Sequence, residues 1–232
     1  MATAKEIEAE VAQIFATRWQ ARDGQVVPDS ESVKLGNDAV KLQGTVLYAD
    51  LADSTDLVNN YKAAFAAEIY KTYLVTACRI IRRRGGEITA FDGDRVMAVF
   101  LGNSKNSDAA RAALNIKWAV SSVINPAIKA QYPKTSFEVR QAVGIDTSEL
   151  LVAKTGIRGA NDLVWVGRAA NFAAKLCGVR QHGYSSFITE DVFKKLNEGS
   201  KLGGNPPRLM WDKLMWEEMG IAIYGSSWTW EV

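Results

Sequence analysis

A chain of 232 residues with a hydrophobic fraction of 47%, a charged fraction of 23% and a net charge of +2 has the make-up of an ordinary globular protein, long enough for one large α/β domain or a domain with an elaborated terminus. The charge is too small to argue for nucleic acid as a partner, no apolar run approaches the roughly 18 residues of a membrane span, and the first twenty residues are too charged for a secretory signal. Cys78 and Cys177 both fall in apolar helical patterns and read as reduced core thiols of a cytoplasmic protein.

Ile7, Val11, Ile14, Phe15 and Trp19 recur at helical spacing, so residues 4–21 are expected as an amphipathic helix. The Gly-, Pro- and Asp-rich stretch after it reads as a loop or extended arm. Residues 44–50 form a strand, and 54–84 one long helix, capped by Asp53 or Ser54 and closed by Gly85 and Gly86. Arg82, Arg83 and Arg84 then complement the helix dipole. EITAF and RVMAVFL, joined by Asp92-Gly93-Asp94, are a hairpin. A second amphipathic helix covers NSDAARAALNIKWAVSSVI. SFEVRQAVGID and ELLVAKTG are strands followed by a loop at about 156–163, and VGRAANFAAKLCGV is an Ala-rich helix. A short strand SSFIT, a small helix at 190–197 and a Trp-rich end complete the chain. The order βαββαββαβ argues for an α+β sandwich of helices on one sheet.

The chemistry gathers at two acidic positions. Asp50 ends an apolar strand and Asp94 lies in the hairpin turn; in a βαββ unit the first strand neighbours the hairpin, so both carboxylates meet at one sheet edge. Two such groups repel unless a cation sits between them, and hard oxygen donors suit Mg²⁺ or Mn²⁺. Leu51-Ala52-Asp53-Ser54-Thr55 follow Asp50 and turn into a helix N-terminus able to hold a polyphosphate. Asp53 and Asp92 serve mainly as cap and turn. The lone His182, without Cys or Asp neighbours, makes a zinc site improbable. Trp211, Trp216, Trp228 and Trp230 read as packing for the C-terminal elements or a dimer seam.

VLYADLADST, GGEITAFDGDRVMAVF and VWVGRAANFAAKL resemble, in order and spacing, the three landmarks of the class III nucleotide cyclase catalytic domain. The resemblance covers roughly residues 40–190 and implies a ferredoxin-like βαββαβ core, with an N-terminal helix and arm over 1–40 and the catalytic domain with a C-terminal β extension over 41–232. It implies a homodimer with active sites at the subunit interface, Asp50 and Asp94 holding two divalent ions, Asn171 orienting the ribose, and Lys175 standing where the family usually has Arg. Spaced i, i+4, Asn171 and Lys175 share one helix face. Lys for Arg loses the bidentate contact of a guanidinium. Arg168 reads as a solvated surface residue, and Lys213 as a second residue within reach of a triphosphate.

Purine cyclases of the family read the base with polar side chains at the places held here by Ala90 and Val164, neither of which can hydrogen-bond a purine edge. With Tyr48 where most cyclases carry Phe, the chain looks like the bacterial Pycsar pyrimidine cyclases. That resemblance implies UTP as substrate (CTP the alternative, a non-catalytic nucleotide-binding module another) and cyclic UMP as a messenger to a downstream effector in antiphage defence.

Overall fold

The computed structural model describes residues 3–179 and 183–232; His182 lies outside the described residues. A capping box opens α1 (Ala4–Ala16), with Thr3 Oγ1 accepting from the Glu6 N–H at 3.3 Å and the Glu6 carboxylate accepting from the Thr3 N–H at 2.7 Å. The helix ends short of Trp19, because the chain turns extended at Thr17 and pairs as β1 (Gln20–Asp23), in parallel, with the start of the next strand. No residue of α1 is buried, and Ile7, Val11, Ile14 and Phe15 form an exposed stripe.

The remaining elements are β2 (Asp38–Ala52), α2 (Ser54–Asn60), α3 (Ala63–Arg83), β3 (Glu87–Asp92), β4 (Arg95–Phe100), α4 (Lys105–Ala119), a π-helical turn (Val120–Ile124), α5 (Asn125–Gln131), β5 (Arg140–Ile157), β6 (Ala160–Val166), α6 (Arg168–Leu176), β7 (Ser186–Thr189), α7 (Glu190–Lys194), α8 (Glu198–Lys201), β8 (Leu202–Gly203), β9 (Arg208–Leu209), β10 (Asp212–Trp216), a 3₁₀ turn (Glu217–Met219) and β11 (Ile221–Ser226). The main sheet runs β10-β11-β7-β5-β2-β4-β3. Its centre, β5-β2-β4-β3, joined through α3 and α4, is a ferredoxin-like βαββαβ unit. The fold is therefore the expected α+β arrangement, extended by strands at its C-terminal edge.

Four local expectations change. The helix expected over 54–84 breaks at Tyr61 and Lys62, both extended. Asn59 and Asn60 are poor helix formers, and the Tyr61 ring settles 5.2 Å from both Phe65 and Phe137, a packing gain that continued helix would forgo. Residues 140–157 form one strand rather than two, because Thr147 stays in the ladder and donates its hydroxyl to the buried Gly44 carbonyl at 3.2 Å. The loop placed at 156–163 contains the start of β6, which returns antiparallel along β5 through Gly156 and Gly159, both at positive φ. Finally, β2 begins at Asp38 rather than 44.

Side-chain alternation along β2 builds two interiors. Leu47, Ala49 and Leu51 join α3 and α4 in the larger core, whereas Val46 and Tyr48 pack with Met97 and Val99 of β4 and Ala169 and Ala173 of α6 on the opposite face. Trp211 and Trp216 are buried, and Trp228 and Trp230 rest against the larger core, so the tryptophans anchor the C-terminal elements. Among the described residues no helix is long and apolar enough to cross a membrane.

Candidate active site

Tyr48 and Asp50 share one face of β2 by strand alternation. Across the sheet Tyr48 pairs with Met97 on β4, which pairs with Ala90 on β3, and on the other side with Gly144 on β5. A tyrosine, a methionine and an alanine thus lie in a row on the same surface. Burial pushes the Tyr48 hydroxyl above its ordinary range, so it is neutral at neutral pH.

Asp50 pairs with Arg95, the first residue of β4, which brings Asp94 in the preceding turn to the same edge. Both carboxylates act on one hydroxyl: that of Tyr73, fully buried, is held well above its ordinary range by burial first and by Asp50 and Asp94 among the nearby charges. That hydroxyl donates to the Asp50 backbone carbonyl at 3.1 Å, tying α3 to the strand end. Arg95 was not singled out by sequence. Its Nε stands 3.9 Å from Asp50 and its Nη2 2.6 Å from Asp92. Burial works to lower the guanidinium's pKa, but the Asp92 bond and the Asp50 charge outweigh it and raise it. Asp92 is thus an Arg95 partner as well as a turn residue. An Arg directly after an Asp-Gly-Asp turn was the available signal; what it lacked was the register.

The donor set fits a small divalent cation. Among the described residues no three His, Cys, Asp or Glu side chains form a group able to hold a metal; the edge offers two carboxylates. Mg²⁺ is commonly held in just this way, with water and substrate phosphates completing its shell.

The turn after Asp50 is partly as expected. Leu51 and Ala52 are buried, at 2% and 8% exposure; Leu51 belongs to the core on the far face, whereas Ala52 keeps the Asp50 face by strand alternation, so any hold on a polyphosphate there falls to backbone N–H groups. Asp53 is the N-cap residue of α2, but it has left-handed backbone (φ 61°) and makes no side-chain cap; its carboxylate pairs with Arg140 at 2.7 Å instead. The Asp53 carbonyl already accepts from Asp56 and Leu57, and α2 has only seven residues, so the backbone of Ser54 and Thr55 is what remains for an anion.

Asn171 and Lys175 both lie exposed on α6. The helix lies so close to β5 that a Cβ on Gly144 would meet the Ala173 carbonyl at 2.2 Å. At its end Cys177 Sγ donates to the Tyr48 carbonyl at 3.0 Å, and Lys175 Nζ lies 3.8 Å from Met219 Sδ. Val164 sits on β6 opposite Ala153, itself opposite Ala39 at the start of β2. It is therefore some 35 Å along the strand from Asp50 at about 3.3 Å per residue, and one chain does not bring it to the carboxylates.

No family model matches the chain. The chain is 50% identical over 221 residues to a uridylate cyclase of Xanthomonas perforans, covering 94% of each sequence. It is 49% identical to a uridylate cyclase of Burkholderia cepacia, covering both sequences completely. Among solved structures, a bacterial light-regulated adenylyl cyclase superposes with a TM-score of 0.71 at 21% identity, over 86% of this chain and 54% of that one, a likeness of fold.

Proposed function

The chain is a nucleotide cyclase of class III, belonging to the family of these uridylate cyclases, and from that membership we propose that it converts UTP to 3′,5′-cyclic UMP and pyrophosphate. The observation that carries the reading is the register of Asp50 against Arg95, which puts Asp94 at the same edge. Two divalent ions held there by Asp50 and Asp94 would polarise the ribose 3′-hydroxyl and neutralise the phosphates. Asn171 orients the ribose, Lys175 meets charge growing on the α-phosphoryl oxygens, and the backbone of Ser54 and Thr55 faces the phosphates. Tyr48 shares the Asp50 face of β2 and lies in a row with Met97 and Ala90; a neutral hydroxyl there, with no polar group at Ala90, suits a one-ring base. The distance of Val164 from Asp50 supports a homodimer: a second copy placed head-to-tail supplies Val164, Asn171 and Lys175 to the first copy's carboxylates. The resemblance to Pycsar cyclases supports a messenger role for the product in antiphage defence, with residues 41–232 as the catalytic part.

Incubating the protein with each ribonucleoside triphosphate and Mn²⁺ tests the reading. Cyclic UMP and pyrophosphate are expected from UTP alone, and Asp50→Asn is expected to abolish both. Cyclic CMP would move the assignment to CTP. No cyclic product from any nucleotide, or full activity in Asp50→Asn, would overturn it.

A further inference from the structure

We propose that Arg168 is a positioning residue: clamped between the buried Asp146 and Asp191, it fixes α6 on β5 and thereby sets where Asn171 and Lys175 stand. The inference rests on the roles proposed above for those two side chains. Asp146, on β5, is wholly buried, and a carboxylate there is costly unless its oxygens are satisfied. Arg168 donates to it from Nε at 3.0 Å and from Nη2 at 3.2 Å, and Thr189 Oγ1 donates at 2.5 Å. The same Nη2 donates to the Thr147 carbonyl at 2.9 Å and to Asp191 on α7 at 2.5 Å. One planar fork therefore joins β5, α6 and α7, which a lysine's point charge could not do.

Arg168 shares its helix face with Asn171 and Lys175 at i, i+3 and i+7. Its side chain lies at the surface as expected, 44% exposed, but its donors turn into the protein, so it acts through the helix and not on the nucleotide. Two further features fit the same task. Gly167 offers no side-chain cap, and the first-turn N–H of Ala169 is satisfied across the gap by Ser148 Oγ at 3.0 Å. A Cβ on Gly167 would meet the Glu149 carbonyl at 2.6 Å, so the helix start lies against the strand. A helix of nine residues has little stability of its own, and these tethers set its place.

The test pairs Asp146→Asn with Arg168→Gln, so that no buried charge is stranded, in the wild type and in a Lys175→Ala background, assayed with whichever nucleotide the wild type cyclises. In the wild type the pair is expected to lower kcat about tenfold or more, in line with the penalty for small misplacements, with KM within about twofold. In Lys175→Ala the further loss should shrink to the part that runs through Asn171, because the part that runs through Lys175 is already gone. Amide hydrogen exchange of the ligand-free protein should quicken over residues 168–177 and stay unchanged in β2 and β4. Equal losses in both backgrounds, or unchanged exchange in α6, would overturn the proposal. Should the pair fail to fold, Asp191→Asn, which leaves the buried contacts intact, is expected to give the same pattern more weakly, and its absence would overturn the proposal as well. A wild type that cyclises CTP instead of UTP defeats the substrate reading without touching this one. A Lys175→Ala enzyme as fast as wild type defeats that residue's role, and exchange then decides on the clamp.

Discussion

Asp50 lies two residues before the end of β2, between the buried Ala49 and Leu51, and the protein meets its charge with Arg95 and ties down its carbonyl with Tyr73. That Asp94 comes to the same sheet edge was readable because it and Asp50 each follow an apolar run; the counter-charge was not, because Arg95 becomes relevant only once β4 is set against β2 residue by residue. The turn at Asp53 was misjudged for a similar reason: an Asp before a helix suggests a capping side chain, and nothing local announces left-handed backbone. That conformation makes a prediction. Asp53→Val should destabilise by about 1–2 kcal/mol, the usual cost of left-handed backbone for a branched residue. Asp53→Gly should stay within about 0.5 kcal/mol, since the ion pair it loses to Arg140 is exposed and weak. Urea unfolding of the two variants measures the difference, and equal tolerance would contradict the backbone assignment.

At the scale of elements, period-2 and period-3.6 patterns located β3, β4 and α6 closely, while the breaks escaped. The aromatic contacts that interrupt the helix at Tyr61 involve Phe137, far along the chain, and β6 is mostly exposed, with no buried residue, so its apolar signal was diluted. Close approach of α6 to β5 was signalled only by the alanines of AANFAAKL. Its tightest point is Gly144, directly across from Tyr48, where a Cβ would also meet Leu176 Cβ at 2.7 Å and the Cys177 nitrogen at 2.8 Å. Gly144→Ala should therefore push the helix outward, destabilise by about 1–3 kcal/mol as overpacking does, and lower kcat by displacing Lys175. Gly199→Ala, whose new Cβ would meet the Arg111 side chain at 3.4 Å and Asn197 Oδ1 at 4.0 Å, should stay within about 0.5 kcal/mol and leave activity unchanged. Thermal melts and steady-state rates of both distinguish a steric wedge from a general intolerance of glycine replacement.

Taken whole, the molecule divides at its sheet into a packed face under α3 and α4 and a face that carries the candidate site. That division follows from alternation along β2, the reason the architecture was legible. It also fixes the pH response. Burial first, then nearby negative charge, holds Tyr73 well above the ordinary tyrosine range; burial raises Tyr48 and Cys78; and hydrogen bonds to Glu68 and Asp212 raise Tyr132 and Tyr184. Each group stays protonated in the fold at a pH where the unfolded chain releases its proton. Their contribution is therefore complete below the unfolded values, about 8.5 for cysteine and 10 for tyrosine, and is lost as pH rises beyond them. On the acid side, Glu6 and Glu190 are lowered by hydrogen bonds from Thr3 and Lys194, both at the surface. They lend stability that fades as pH falls below the carboxylate range, and screening keeps it small. The urea midpoint is accordingly expected to fall more steeply between about pH 9 and 11 than between about pH 6 and 4. Tyr73→Phe supplies the sharper check. At neutral pH it should cost about 1 kcal/mol, for the hydrogen bond lost from the Asp50 carbonyl. Above pH 10 it also removes the largest proton-linked penalty, so its stability curve should converge on that of the wild type as pH rises. Parallel curves across that range would mean that the Tyr73 hydroxyl is not held in the core beside the two carboxylates.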